Sequence, residues 1–205
     1  MSQALTRLRL ARIVNQDEDG SNFHGQSRSN DTHRSRTDRE ARLFRKGNGK
    51  EAKLSYSMHV LMENRHGLVV GACVERAGTK IEREAALKLL DEQKEERGIE
   101  VDTLGADKAY HCQEFISELR RRRIRPHIAC IDCRELAGLD RRTTRHDSYW
   151  LSQIKRKLVE QIFGWVKTVG GLRKTRFIGR QKTELAAQFS CATYNLLRIA
   201  KLVPS

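Results

Sequence analysis

Two apolar runs on either side of a short turn constrain this chain more than any other feature. From Leu54 the sequence reads LSYSMHVLM, with Leu54, Tyr56, Met58 and Val60 falling on one face. That is the period of two of a pleated strand. ENRHG comes next, a turn signal that ends in glycine, and then the apolar run LVVGACVE from Leu68. So short a loop joins antiparallel strands, so the two runs predict a hairpin.

Alternating elements come after the hairpin. GTKIEREAALKLLDEQKEERG predicts a helix, with Thr79 and Glu82 at capping-box spacing and Gly98 as the stop. Its apolar side is Ile81, Ala85, Ala86, Leu89 and Leu90. IEVDTLGADKAY is a strand ending at Gly105, and CQEFISELRRRRIR a helix that turns Phe115, Ile116 and Leu119 inward. PHIAC is a short strand and IDCRELAGLDRRTTRHDSYW a basic loop. LSQIKRKLVEQIFGWVKTVGG is a helix closed by Gly170 and Gly171, and TELAAQFSCATYNLLRIAKLV is a last helix. The order is β, β, α, β, α, β and then helices. It predicts a mixed α/β fold with an antiparallel hairpin beside parallel strands.

The front of the chain differs. Residues 15–50 are rich in Asn, Ser, Asp, Gly and Arg and lack apolar periodicity, so they cannot bury enough surface to offset their ordering entropy. MSQALTRLRLARIV reads as the start of a short amphipathic helix. The expected division is therefore a basic, largely irregular arm over 1–50 and a folded part over 51–203.

Charge narrows the partners. The 205 residues carry 40 Lys and Arg against 26 Asp and Glu, a net charge of +14. A surplus of that size favours polyanions, nucleic acid ahead of an acidic membrane surface. No apolar run approaches a membrane span, and no secretory signal opens the chain, so a cytoplasmic location is expected. The five cysteines are odd in number and irregularly spaced, which predicts reduced thiols. Cys130 and Cys133, with His127 upstream, lack the second ligand pair of a structural zinc site.

Two acids stand out against this basic background. On a wheel of about 100° per residue, Leu151, Ile154, Leu158, Ile162, Trp165 and Val169 share one side of the long helix. Gln153, Arg156, Glu160, Gly164 and Lys167 share the other, so one acid sits in a basic stripe. Taken alone, Glu160 with Arg156 is an ordinary i, i+4 pair. Asp107 falls just past an apolar strand, at the edge where ligands gather in open α/β sheets. Taken alone, it is a helix N-cap. Asp102 lies earlier in the strand and is the weaker candidate. Carboxylates gathered within a basic protein suit hard Mg²⁺ ions at a phosphodiester, with Lys and Arg gripping the backbone. Tyr110 and Trp165 read as packing residues, and His59, His66 and His127 as structural ones. The Arg120–Arg123 run reads as a helix end matched to the macrodipole, with DNA contact the second reading.

The motifs resemble those of bacterial insertion-sequence transposases of the DDE type, in the subgroup named after insertion sequence five. FHGQSRSNDTHRSRTD, ARLFRKGNGKEAKLSYSMHVLMENRHGLVV, TLGADKAY, RRTTRH, FGWVKTVGGLRKTR and ATYNLLRIAKL occur in family order, from about Phe23 to the C-terminus. The resemblance implies a ribonuclease-H-like mixed sheet with flanking helices. It implies three metal-binding acids: an Asp on the first strand, an Asp after the fourth and a Glu on a later helix. Asp107 matches the second and Glu160 the third. Arg156, Glu160 and Lys167 fit the spacing Y-x2-R-x3-E-x6-K, with Gln153 at the Tyr position. Ala109 and His111 stand where Gly and Asp are expected after GADK.

The first Asp has no counterpart. A stretch like DGT followed by apolar residues is absent, and Asp17, Glu18 and Asp19 in the arm are poor substitutes. The expectation is an N-terminally truncated catalytic domain that lacks the first strand and keeps two acids of three. The resemblance further implies DNA transposition, DNA at transposon ends and target, a homo-oligomer in the DNA complex and a nucleoid-associated location. A two-Mg²⁺ site held by Asp107 and Glu160 would be weak or absent here, with little strand cleavage or transfer. Arg145, Arg156, Lys167, Arg173, Lys174 and Arg176 are the expected DNA contacts, with Arg141, Arg142 and His146 in the same loop as Arg145. The alternatives are a non-catalytic basic DNA-binding remnant and a nuclease of the same fold.

Overall fold

The hairpin forms as its periodicity predicts and becomes the spine of a six-stranded sheet. In the computed structural model, residues 2–11, 29–30, 34–45, 52–78, 80–130, 139 and 141–203 are described. Strand β3 (Ala52–Glu63) pairs antiparallel with β4 (Val69–Arg76), from Tyr56–Arg76 to Met62–Val69. Gly67 takes a φ of 72° in the turn between them, which favours a residue without a β-carbon. On its other side β3 pairs antiparallel with β1 (Ser2–Ala11), from Ala11–Ser55 to Gln3–Glu63. β1 runs parallel to β5 (Thr103–Ala106), and β5 runs parallel to β6 (Arg125–Ile128). The short β2 (Arg42–Arg45) pairs with the first residues of β3. The order β4-β3-β1-β5-β6 joins three antiparallel strands to two parallel ones. It is the ribonuclease-H-like mixed sheet with flanking helices that the resemblance implies.

The front of the chain corrects the sequence expectation. The first-strand position is filled, by Ser2–Ala11. The stretch from Thr6 to Leu10 alternates Thr, Arg, Leu, Arg, Leu, which suits a strand as well as a helix. β3 supplies a backbone ladder along Gln3–Ala11 and β5 a second one along Ser2–Leu5, whereas a lone helix of this length is marginal. Residues 34–45 also join the folded part, through β2 and through a fully buried Asp38. The remainder of the expected arm, including Asp17, Glu18 and Asp19, lies outside the described residues.

Helices cover both faces. α1 (Ile81–Arg97) and α2 (Gln113–Arg121) pack Ala85, Ala86, Leu89, Leu90, Phe115, Ile116 and Leu119 against Leu104 and Ala106. Each such large aliphatic or aromatic side chain contributes about 2 kcal/mol on burial. Gly98 ends α1 at a φ of 62°, as its position predicts. Thr79, the expected cap, lies outside the described residues. On the opposite face, α5 (Val159–Thr168) and α6 (Arg180–Leu202) pack Val159, Ile162, Phe163, Val166, Ala187 and Cys191 against Tyr56, Met58, Val60 and Met62. Burial pushes the Cys191 thiol up to about 12, so it stays protonated.

The long helix expected from Leu151 is three pieces: α4 (Asp147–Lys155), a 3₁₀ turn over Arg156–Leu158, and α5. The short α3 (Arg141–Arg145) precedes it. A 3₁₀ turn has about three residues rather than 3.6, so it rotates α5 away from the continuous wheel. The buried line is Tyr149, Ser152, Val159, Ile162, Phe163 and Val166, while Leu151, Ile154 and Val169 are exposed. Polar bonds fix this phase. Tyr149 Oη donates to the Ile128 carbonyl at 3.0 Å, Gln153 Nε2 to the His127 carbonyl at 2.7 Å, and Ser152 Oγ lies 2.7 Å from His127 Nδ1. Trp165 is half-buried against Tyr194, their rings 5.9 Å apart, as its packing assignment expects.

Candidate nucleic-acid interface and acidic edge

Asp107 lies directly after β5 and its backbone stays extended, at φ −80° and ψ −179°. Strand side chains alternate faces. Leu104 and Ala106 enter the α1–α2 core, whereas Thr103 lines a cavity with Ser152 and Lys155 of α4. Continuing the alternation puts Asp107 on the α4–α5 side of the sheet. Its Oδ1 accepts the Ala109 N–H at 2.8 Å and so caps the 3₁₀ turn Lys108–Tyr110. A carboxylate has about four acceptor positions, so the cap occupies only part of the half-buried group. Two features support the turn. Arg83 from α1 donates to the Ala109 carbonyl at 2.9 Å, and Tyr110 is buried against Phe115 with ring centroids 5.3 Å apart. Tyr110 is therefore a packing residue. Nothing in the local sequence pattern of Arg83 marks it for this role.

Glu160 is exposed in the first turn of α5, where a negative charge complements the helix dipole. It rides on the same side of the sheet as Asp107, because α5 packs its buried face there. Arg156 does not turn to Glu160. Its Nε donates to Gln153 Oε1 at 2.9 Å, and Gln153 in turn holds the β6 backbone. The residue at the family's Tyr position thus ties α4 to the sheet and orients Arg156. Among the described residues, no three His, Cys, Asp or Glu side chains gather as a metal-holding group.

The register of the central strand bears on that result. Leu5 pairs with Ala106, so the next residue, Thr6, lies level with Asp107. Nothing from Ser2 to Ala11 is Asp or Glu. The strand place is filled, but the carboxylate is not. Among the described residues, therefore, the side chains do not fit a centre that needs three carboxylates around its ions.

The basic residues fall into two groups. Arg145, Arg173, Lys174 and Arg176 are exposed, the last three in the turns between α5 and α6. Arg156 and Lys167 are half-buried. Of the Arg120–Arg123 run, Arg122 pairs with Asp91 of α1 at 2.7 Å and Arg121 with Glu118 at 2.8 Å. The middle of that run thus serves the helix pair. The side chains of Arg141 and Arg142, and residue Cys133, lie outside the described part of the chain. Cys73, Cys112, Cys130 and Cys191 are reduced thiols, outside any disulfide. His127 is buried, and desolvation, helped by the charges of Arg125 and His146, pushes its pKa down to about 4. It is a neutral structural residue near neutral pH, bonded to Ser152. Among the described residues, no helix is long and apolar enough to cross a membrane.

Comparison with known proteins agrees with the motifs. A family model described as Transposase DDE domain matches residues 19–196. No curated protein matches the sequence. One similar solved chain comes from the cryoEM structure of simian T-cell lymphotropic virus intasome in complex with PP2A regulatory subunit B56 gamma. It is 18% identical with a TM-score of 0.41, and the match covers 68% of this chain and 42% of that one. This chain thus spans less than half the length of that relative.

Proposed function

The chain belongs to the transposase DDE domain family, and from that premise we propose that it acts in DNA transposition by binding transposon-end and target DNA, without cutting or joining strands on its own. One observation carries the second half of this reading: the central strand brings no carboxylate level with Asp107. Asp107 and Glu160 are the family's second and third acids. Two carboxylates, one partly spent on a cap and one exposed on α5, are a poor cage for hard cations. When bound in an intact centre, Mg²⁺ would supply charge neutralisation at the phosphodiester.

Binding rests on the exposed cations. Arg145, Arg173, Lys174 and Arg176 face solvent in a protein of net charge +14. Neutralising phosphates releases condensed counterions, so affinity falls with salt by about 0.9 log units per log unit for each phosphate contact. Arg156, held by Gln153, and Lys167 position the backbone closer to the acids. The protein works in the cytoplasm at the nucleoid, several copies to a DNA complex.

Gel-shift titration and a cleavage assay on transposon-end DNA test this. Binding is expected to be the same with and without Mg²⁺, and unchanged in Asp107→Ala and Glu160→Ala. Replacing Arg173, Lys174 and Arg176 together by Ala should weaken it at least about tenfold and flatten the salt dependence. No nicked product is expected. Robust Mg²⁺-dependent cleavage that disappears in Asp107→Ala would overturn the proposal. Thr6→Asp probes the register itself, by adding a carboxylate level with Asp107. Calorimetric titration should then show Mg²⁺ bound about tenfold tighter than by the parent chain.

A further inference from the structure

The last helix has two apolar faces, and the fold uses only one. Thr183, Ala187, Cys191 and Tyr194 are buried against the sheet. Leu185, Phe189, Leu196, Ile199 and Val203 are 54, 67, 68, 44 and 62% exposed, and Ala192 is exposed between them. The positions 185, 189, 192, 196, 199 and 203 have the spacing 4-3-4-3-4. At 100° per residue the five positions on α6 fall within an arc of about 80°, on the far side of the helix from the buried line, and Val203 is the residue that closes the helix. No charged residue interrupts the stripe, although 32% of the chain is charged. Arg198, within its span, turns to the core side and donates to the His66 carbonyl at 2.8 Å.

A stripe with a period of 3.5 residues is the seam that a second helix fills, knob into hole. The spacing is also its own mirror image about residue 194. A helix laid antiparallel across it through a two-fold axis sets Leu185 against Val203, Phe189 against Ile199, and Ala192 against Leu196. Small then faces large at the centre, which lets the helices approach closely. A surface that matches itself in this way is what an isologous dimer requires. Size agrees too. Five large side chains about half exposed offer roughly 100 Å² each, about 500 Å² together. That is the larger part of the ~800 Å² per partner of a stable interface, and the polar residues flanking the stripe supply the rim.

We propose that the outward face of α6 is a self-association surface, on which a second copy of this chain packs its own α6 antiparallel. The interface needs no DNA and does not depend on the DNA-binding role. Its test uses the full chain, treated with nuclease and held at high salt to remove polyanion bridging. Sedimentation velocity should give twice the monomer mass at micromolar concentration. Phe189→Glu with Leu196→Glu should weaken association at least about hundredfold, with an unchanged circular-dichroism spectrum. Phe189→Leu should keep the dimer. A parent chain that stays monomeric at tens of micromolar, or a dimer that survives the double substitution, would overturn the proposal. For orientation, Ala192→Cys with Leu196→Cys should cross-link position 192 of one copy to 196 of the other. A 192–192 product as the main species would overturn the antiparallel pairing.

Discussion

Asp38 and Glu40, against the start of α6, make a sharp contrast with Asp107 at the end of β5 and Glu160 in the first turn of α5. Asp38 is fully buried, and its oxygens accept Tyr56 Oη at 2.7 Å and the Gly179 N–H at 3.1 Å. Glu40 accepts the Arg180 N–H at 2.8 Å, which holds its carboxyl below the usual range, and pairs with Arg76 at 3.3 Å. The two acids of TDREAR thus satisfy the first amides of the terminal helix and complement its dipole. Desolvation and the Asp38 charge together push the Tyr56 phenol well above its ordinary pKa, so it remains a donor. Asp107 caps a single turn, and Glu160 bonds to nothing among the described residues. Carboxylates with every oxygen committed build the fold. Those with acceptor capacity left over are available to a ligand.

The sharpest way to break this contrast is to remove the committed acid. Asp38→Ala strips charge-assisted bonds from three donors, Tyr56 Oη and the Gly179 and Glu40 N–H groups, and leaves the buried Tyr56 hydroxyl without its acceptor, an expected loss of about 4 kcal/mol by denaturant unfolding. Hydrogen exchange should show the first turns of α6 opening first. A loss below about 1 kcal/mol would erase the distinction between committed and available acids.

Next in size is an effect of pH at the buried His127–Ser152 pair. The unfolded imidazole takes a proton below about 6.5. The folded one, pushed down chiefly by burial, takes it only near 4. The stability is therefore full above pH 6.5 and lost as pH falls from there toward 4, by up to about 3 kcal/mol. His127→Asn should flatten that part of the curve in urea titrations run at a series of pH values.

The smallest effects belong to the edge acids. Asp107→Ala removes one cap and should cost about 1 kcal/mol. Glu160→Gln should stay within about 0.5 kcal/mol of the parent, because the residue is exposed and unbonded. Thermal unfolding of both variants beside Asp38→Ala would rank these carboxylates. Should Glu160→Gln destabilise as much as Asp38→Ala, the edge acids are structural too.

Much of this architecture was legible in the sequence where one local signal decided it. The β3–β4 hairpin came from alternation at Leu54, Tyr56, Met58 and Val60, and α1 ended at Gly98 as a glycine stop predicts. Phe115, Ile116 and Leu119 point inward from α2 as its periodicity requires. The helix from Leu151 was harder. Its wheel assumed an unbroken 3.6-residue repeat, and the 3₁₀ turn at Arg156–Leu158 exposed Leu151 and Ile154. In the sequence Arg122 belongs to a cation run at a helix end, but its partner Asp91 lies on another helix, beyond the reach of a local pattern.

By itself the sequence determined the family motifs, the basic charge, most of the helices and strands, and the absence of an acid between Ser2 and Ala11. These are properties of composition and short-range periodicity, which act before any long-range contact forms. Only the tertiary structure decided that Ser2–Ala11 is the central strand, that Thr6 stands level with Asp107, and that Asp38 closes α6 across the molecule. A strand's ladder and a buried carboxylate's partners come from residues distant in the chain. Their stability exists only once those residues have met.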